Sequence, residues 1–227
     1  MEEKQIEPIA IIATDYKEKF GIPRQSGRVK TAKGVIKFLP PYNDPAAIKG
    51  ISGFSHIWLI FGFSANEYKE FSPTVRPPRL GGNTRMGVFA TRSPFRPNGL
   101  GLSCVKLDGI TENGELSVSG ADLLDGTPIY DIKPYLPYAD CIPDALGGFT
   151  DEKKRHRLRI KDGAEILNII PKDKVDTVID CICDDPRPSY QNDKNRVYSI
   201  RFANYDIHFT VDGQDVSIKS VDIEIKS

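Results

Sequence analysis

No apolar stretch in this chain of 227 residues outlasts a β-strand. The longest, Ile57 to Phe63, is strand-sized and far short of the roughly 18 apolar residues that cross a membrane as a helix. Turn formers separate the runs, drawn from 19 Gly and 17 Pro. Glycine opens backbone conformations closed to other residues, and proline withholds a ladder donor, so together they cut the chain into short extended pieces. Strands are expected at Ile6 to Ala13, Gly34 to Leu39, His56 to Phe63, Gly87 to Ala90, Leu102 to Leu107 and Glu115 to Ser119. Glu112-Asn113-Gly114 is a hairpin signal between the last two. Many short strands with this punctuation predict a mainly β fold whose sheet is closed or nearly closed. No G-x-G-x-x-G joins a strand to a helix, which speaks against a Rossmann-type nucleotide site.

The texture changes after Asp140. Ile142 to Phe149 reads as a linker, and Asp151 to Lys161 is dense in charge around His156. Val175 to Cys183 suits a helix that stops before Asp185-Pro186-Arg187-Pro188. A strand at Val197 to Phe202 and a terminal hairpin about Asp212-Gly213 follow. The expected division is a β-barrel over 1–145 and a small α+β domain over 146–227. Four cysteines include one close pair, Cys181 and Cys183, whose spacing suits neither a zinc knuckle nor a redox pair, so reduced thiols in packed positions and no metal are expected. The start, MEEKQIEP, lacks the basic and apolar regions of a signal peptide, which makes a cytoplasmic location the expectation.

Charge is balanced overall, 31 basic against 31 acidic residues, but not locally. Residues 71–107 hold Arg76, Arg79, Arg85, Arg92, Arg96 and Lys106 and no Asp or Glu; about five acids would be expected at the chain's mean content. The arginines sit in Pro- and Gly-rich loops of fixed shape. A guanidinium offers a rigid fork of donors to phosphate or carboxylate, so an anionic partner is indicated. The bland alternative is arginines paired with acids elsewhere. Opposite in character is Ala121 to Tyr135, with Asp122, Asp125 and Asp131, suited to hydroxyls, amines or a cation, although Asp125-Gly126 is also an ordinary turn. Arg24 and Gln25 lie in a loop bounded by Gly21 and Gly27, where a plain surface turn is the alternative. His56 and Cys104 are expected to be structural.

Several motifs together resemble the TrmO family, also called TsaA-like or YaeB-like. They are Phe20-Gly-Ile-Pro-Arg-Gln, Phe54-Ser-His-Ile-Trp, Thr74-Val-Arg-Pro-Pro-Arg-Leu-Gly-Gly, Arg85 to Asn98, and Asp125 to Tyr135. Asp184 to Tyr190 and Val197 to Asp206 resemble that family's smaller second domain. The resemblance implies a β-barrel methyltransferase that uses S-adenosylmethionine, acts as a homodimer, and methylates N6 of threonylcarbamoyl-adenosine at position 37, beside the tRNA anticodon. It implies cofactor contacts by Pro23, Arg24 and Gln25, by Ser64 and Ala65, by Arg92 and Leu102, and by Asp122, Leu123, Leu124 and Asp125. The strand that often ends Phe-x-Phe-His in relatives ends here in Phe61-Gly-Phe-Ser64, so a backbone contact is the role that survives there.

The chemistry then asks mainly for alignment, since the exocyclic nitrogen of adenine is a weak nucleophile and a sulfonium methyl is a strong electrophile. Asp131 is a candidate base by residue type, beside a carboxylate on the substrate. Tyr130, Tyr135 and Tyr138 are candidates to stack on bases, and Lys153 to Lys161 to follow the tRNA backbone, with packing and a solvated charged face as the alternatives. Two other functions stay open at this level: a non-enzymatic RNA-binding barrel, and an enzyme using the same cofactor on a small molecule.

Overall fold

The computed structural model describes residues 5–66, 70–152, 157–188 and 190–224. In chain order the elements are β1 (Ala10–Thr14), β2 (Lys33–Phe38), β3 (His56–Gly62), β4 (Thr74–Val75), β5 (Met86–Gly87), β6 (Leu100–Ile110), β7 (Leu116–Ser119) and β8 (Thr127–Pro134). Then come α1 (Pro137–Asp140), α2 (Phe149–Glu152), β9 (Arg159–Asp162), α3 (Lys172–Cys183), β10 (Tyr198–Phe202), β11 (Tyr205–Asp212) and β12 (Asp215–Ile223).

Six strands close into a barrel in the order β1-β2-β7-β6-β3-β8, each neighbouring pair antiparallel. Period-two burial explains the closure. Ile12, Ile36, Ile57, Leu59, Leu116, Val118 and Ile129 all point into one buried core. Each such aliphatic side chain contributes about 1.5–3 kcal/mol by leaving water. Gly101 stands opposite Phe61 in the β3–β6 register. A Cβ there would come within 2.3 Å of the Phe61 ring, so the ring fills the space that only glycine leaves.

A second sheet has the order β10-β11-β12-β9, its last pair parallel. Helix α3 lays Val178, Cys181 and Ile182 against it. This second core is shared along the chain. Tyr16, Val29 and Ala32, from the segment between β1 and β2, are buried in it. Tyr16 bridges Phe202, and the Ala203 N–H donates to the Asp15 carbonyl at 2.7 Å.

Most expected elements are found with shifted ends; one expected strand is cut short, and β4, β8, β9, α1 and α2 were not expected. The strand expected at Gly87 to Ala90 is only the two residues of β5, followed by a 3-10 turn at Val88–Ala90. β8 was not foreseen, because Pro128 and Pro134 argue against a strand. Pro128 is tolerated opposite Ile11, in the β1–β8 pair. Parallel β9 was hidden in the charge-dense stretch, of which Lys153, Lys154, Arg155 and His156 lie outside the described residues.

Candidate active site

One rim of the barrel gathers the end of β1, the turn before β8, the end of β3 and the start of β6. The turn is fixed from below. Leu123 is buried in the barrel core, and its carbonyl accepts the Thr14 hydroxyl at 3.0 Å. The Asp125 carboxylate accepts the Thr14 N–H at 2.9 Å and the Lys17 ammonium at 2.7 Å. Gly126 N–H reaches the Ile12 carbonyl at 2.9 Å, and the Thr127 hydroxyl reaches that of Leu124 at 2.6 Å. The Leu123 side chain is therefore a core anchor of the turn.

Asp122 is partly buried and accepts the Ser103 hydroxyl at 2.6 Å. Burial is the largest influence on its carboxyl and pushes its pKa up to about 6; bonds from Ser103, its own N–H and the Ser26 backbone, with the Arg92 charge, hold it from rising further. The Pro23–Gln25 loop reaches the same place because Gly27 N–H bonds the Gly120 carbonyl at 2.8 Å. Gly120 has φ +76, and a Cβ on it would sit 3.2 Å from Gly27 Cα. Only glycine permits that approach without strain.

Gln25 accepts a hydrogen bond from the Arg92 guanidinium and donates one to the Arg24 carbonyl. Gln25, Arg92 and Asp122 are thus assembled from three separated loops. Arg24 turns the other way. Its guanidinium donates to the carbonyls of Arg187 at 2.8 Å and Pro186 at 3.5 Å, in a turn where buried Arg187 is held by Asp185 at 2.8 Å. Ser64 and Ala65 are exposed just past β3, where Phe63 N–H bonds the Gly99 carbonyl at 3.0 Å. Leu102 is exposed on β6, one residue before the Ser103 that holds Asp122. Pro23 is buried beneath its loop.

Among the described residues no carboxylate lies within ion-pair distance of Arg76, Arg85, Arg92 or Arg96. Arg85 donates to the Thr74 hydroxyl at 2.7 Å, and Arg96 to the carbonyls of Thr91 and Ser93, both at 3.2 Å. The reading of arginines neutralised by distant acids fails for these four.

Other candidates lie apart. Asp131 pairs with Lys133 at 3.3 Å and lines a cavity of about 170 Å³ with Ile9, Phe38 and Tyr42, so it takes no part in the Gln25–Arg92–Asp122 group. Tyr135 packs on His56 and Trp58, Tyr130 covers Gly62, and Tyr138 is exposed. His56 bonds Ser55 at 2.9 Å. Burial raises the Cys104 thiol and pushes Cys181 up to about 12, which keeps both protonated. Ser103, Ser26 and Thr14 are the participants that sequence reasoning missed. For Ser103 a signal existed: a polar residue at an inward position of an alternating strand.

A model of the tRNA-methyltransferase O N-terminal domain matches residues 11–141, and one of the TrmO C-terminal domain matches 166–224. The chain is 39% identical over 218 residues to the tRNA (adenine(37)-N6)-methyltransferase of Escherichia coli (strain K12), covering 91% of this chain and 93% of that protein. It is 45% identical over 171 residues to the protein of the same name from Eikenella corrodens, covering 74% and 97%. A crystal structure of TrmO from Pseudomonas aeruginosa superposes with a TM-score of 0.78 at 31% identity, covering 97% of this chain and 100% of that one. By sequence along both halves and by fold, the chain belongs to the tRNA-methyltransferase O family.

Proposed function

We propose that this chain transfers a methyl group from S-adenosylmethionine to N6 of adenosine 37 in tRNA, with the threonylcarbamoyl-modified adenosine as substrate. The observation that carries this reading is the Gln25–Arg92–Asp122 group at the rim, in a chain that spans 93% of an E. coli relative named for that activity. The donor set suits the cofactor's chemistry. S-adenosylmethionine presents two cationic centres, a carboxylate and a flat aromatic base. The rim offers the Asp122 carboxylate and the Arg92 guanidinium.

When bound, the cofactor supplies an electrophilic methyl group on a cationic sulfur. The chain's own part is to hold and align. Gln25 and Arg92 with Ser64, Ala65 and the Leu102 backbone form one wall, on a loop that Pro23 and Arg24 anchor from behind, and the turn from Asp122 to Asp125 forms the other. Orientation of this kind supplies about 7–11 kcal/mol of a barrier. Asp122 favours a cation, because burial has raised the cost of its charge and a bound positive centre offsets it. The arginines of residues 76–96 hold phosphates of the anticodon loop.

The division at 145/146 is part of this reading. The first unit carries the chemistry, and the second steadies the cofactor loop through the Arg24 contacts with Pro186 and Arg187. The reading extends to a homodimer working in the cytoplasm. The test is transfer of labelled methyl from S-adenosylmethionine to tRNA with and without the threonylcarbamoyl group. Label on N6 of the modified adenosine alone is expected; label on neither tRNA contradicts the reading.

A further inference from the structure

Beside the cofactor wall, the segment between β5 and β6 frames an open surface pocket of about 410 Å³ lined by Phe89, Arg96, Pro97, Asn98 and Leu100. That is the size range in which small organic groups are held. Its lining is unusual for a surface loop. Phe89 is 74% exposed on the 3-10 turn, although a phenylalanine ordinarily gains by burial. Facing the same space is Arg96, whose Nη1 is tied to the carbonyls of Thr91 and Ser93. Those bonds fix the guanidinium without cancelling its charge, and no carboxylate among the described residues pairs with it. Asn98 adds an amide, and Pro97 stiffens the edge. The whole stretch from 71 to 107 contains no acid.

An exposed aromatic face, a fixed cation and an acid-free surround are what an unpaired nucleotide requires: a surface for the base and a charge for its phosphate. A protein partner would bury the ring as well, but would not call for the complete exclusion of carboxylates. The cavity is tied to the site along the chain, since Arg92 lies between Thr91 and Ser93, whose carbonyls Arg96 holds.

We infer that this cavity is a subsite for an unpaired base of single-stranded RNA, stacked on Phe89 with its phosphate on Arg96. The inference rests on the reading that the substrate is tRNA and names where a loop nucleotide is gripped.

The experiment titrates an anticodon stem-loop carrying 2-aminopurine in its loop into the wild-type protein and into Phe89→Ala, Phe89→Trp and Arg96→Gln, across a range of salt. Stacking quenches the probe in the wild type. Phe89→Ala is expected to weaken binding about tenfold and to lose the quench, as removal of one stacking aromatic does. Phe89→Trp is expected to keep both, within about twofold, because any aromatic face serves. Arg96→Gln should lower the slope of log affinity against log salt by about 0.7, the value for one single-strand phosphate contact. Wild-type affinity and quench in Phe89→Ala, or a Trp variant as weak as the Ala variant, overturn the subsite. If the wild type methylates tRNA while Phe89→Ala is unchanged, the subsite alone falls. If the wild type binds no RNA, the tRNA reading falls and the subsite with it.

Discussion

In the turn from Asp122 to Asp125, Leu123 fills the barrel core, while Thr14, Lys17 and Thr127 take up the polar groups of Leu123, Leu124 and Asp125. Across the rim, the segment from 71 to 99 has a pair of two-residue strands, exposed Phe71, Phe89 and Phe95, and guanidinium groups bonded to nearby loop atoms. The acidic half of the site is set by the scaffold. The basic half is set locally and turned outward. The difference fits two ligands: a small cofactor needs a wall fixed in advance, and a polyanion needs exposed charge.

The comparison breaks most visibly on stability. Leu123→Ala should lose about 2–5 kcal/mol, as large-to-small core changes do, whereas Phe89→Ala should stay within about 0.5 kcal/mol. Chemical denaturation of the two variants measures this, and equal losses would erase the distinction between the halves. Next in size is Arg92→Ala. It should weaken S-adenosylmethionine binding by about 1.5–3 kcal/mol, the usual worth of a hydrogen bond to a charged group, with the melting temperature preserved; calorimetry reads both.

Asp122 sharpens the contrast through pH. Its folded pKa of about 6 lies above the ordinary 3.8, so between these values the folded protein keeps a proton that the unfolded chain releases. Stability relative to Asp122→Asn should therefore fall as pH rises from about 4 to about 6, and then level. Cofactor affinity should move the other way and rise through pH 6 as the carboxylate ionises. Asp122→Asn should flatten both profiles. The smallest effect belongs to Lys17→Ala. Lys17 and Asp125 are 40% and 36% exposed, and a pair so open to water contributes less than about 1 kcal/mol.

The barrel was legible in the sequence because its strands alternate and are bounded by Gly and Pro. The Arg and Asp clusters were legible by their charge. β8 was not, because two prolines argue against a strand until β1 is known to lie beside it. The burial of Tyr16, Val29 and Ala32 in the second core was also hidden, since it depends on contacts far along the chain, such as the Tyr16–Phe202 bridge, 186 residues apart. Motif resemblance named Arg24 and Arg92 alike. Local spacing carries no sign that one guanidinium meets Gln25 while the other reaches Arg187.

The most direct test is a crystal structure with S-adenosylhomocysteine. Its density is expected at the rim, in contact with Gln25, Arg92 and the turn from Asp122 to Asp125. Density elsewhere, with the Arg92–Gln25 bond undisturbed and Asp122 far from the ligand, would contradict it.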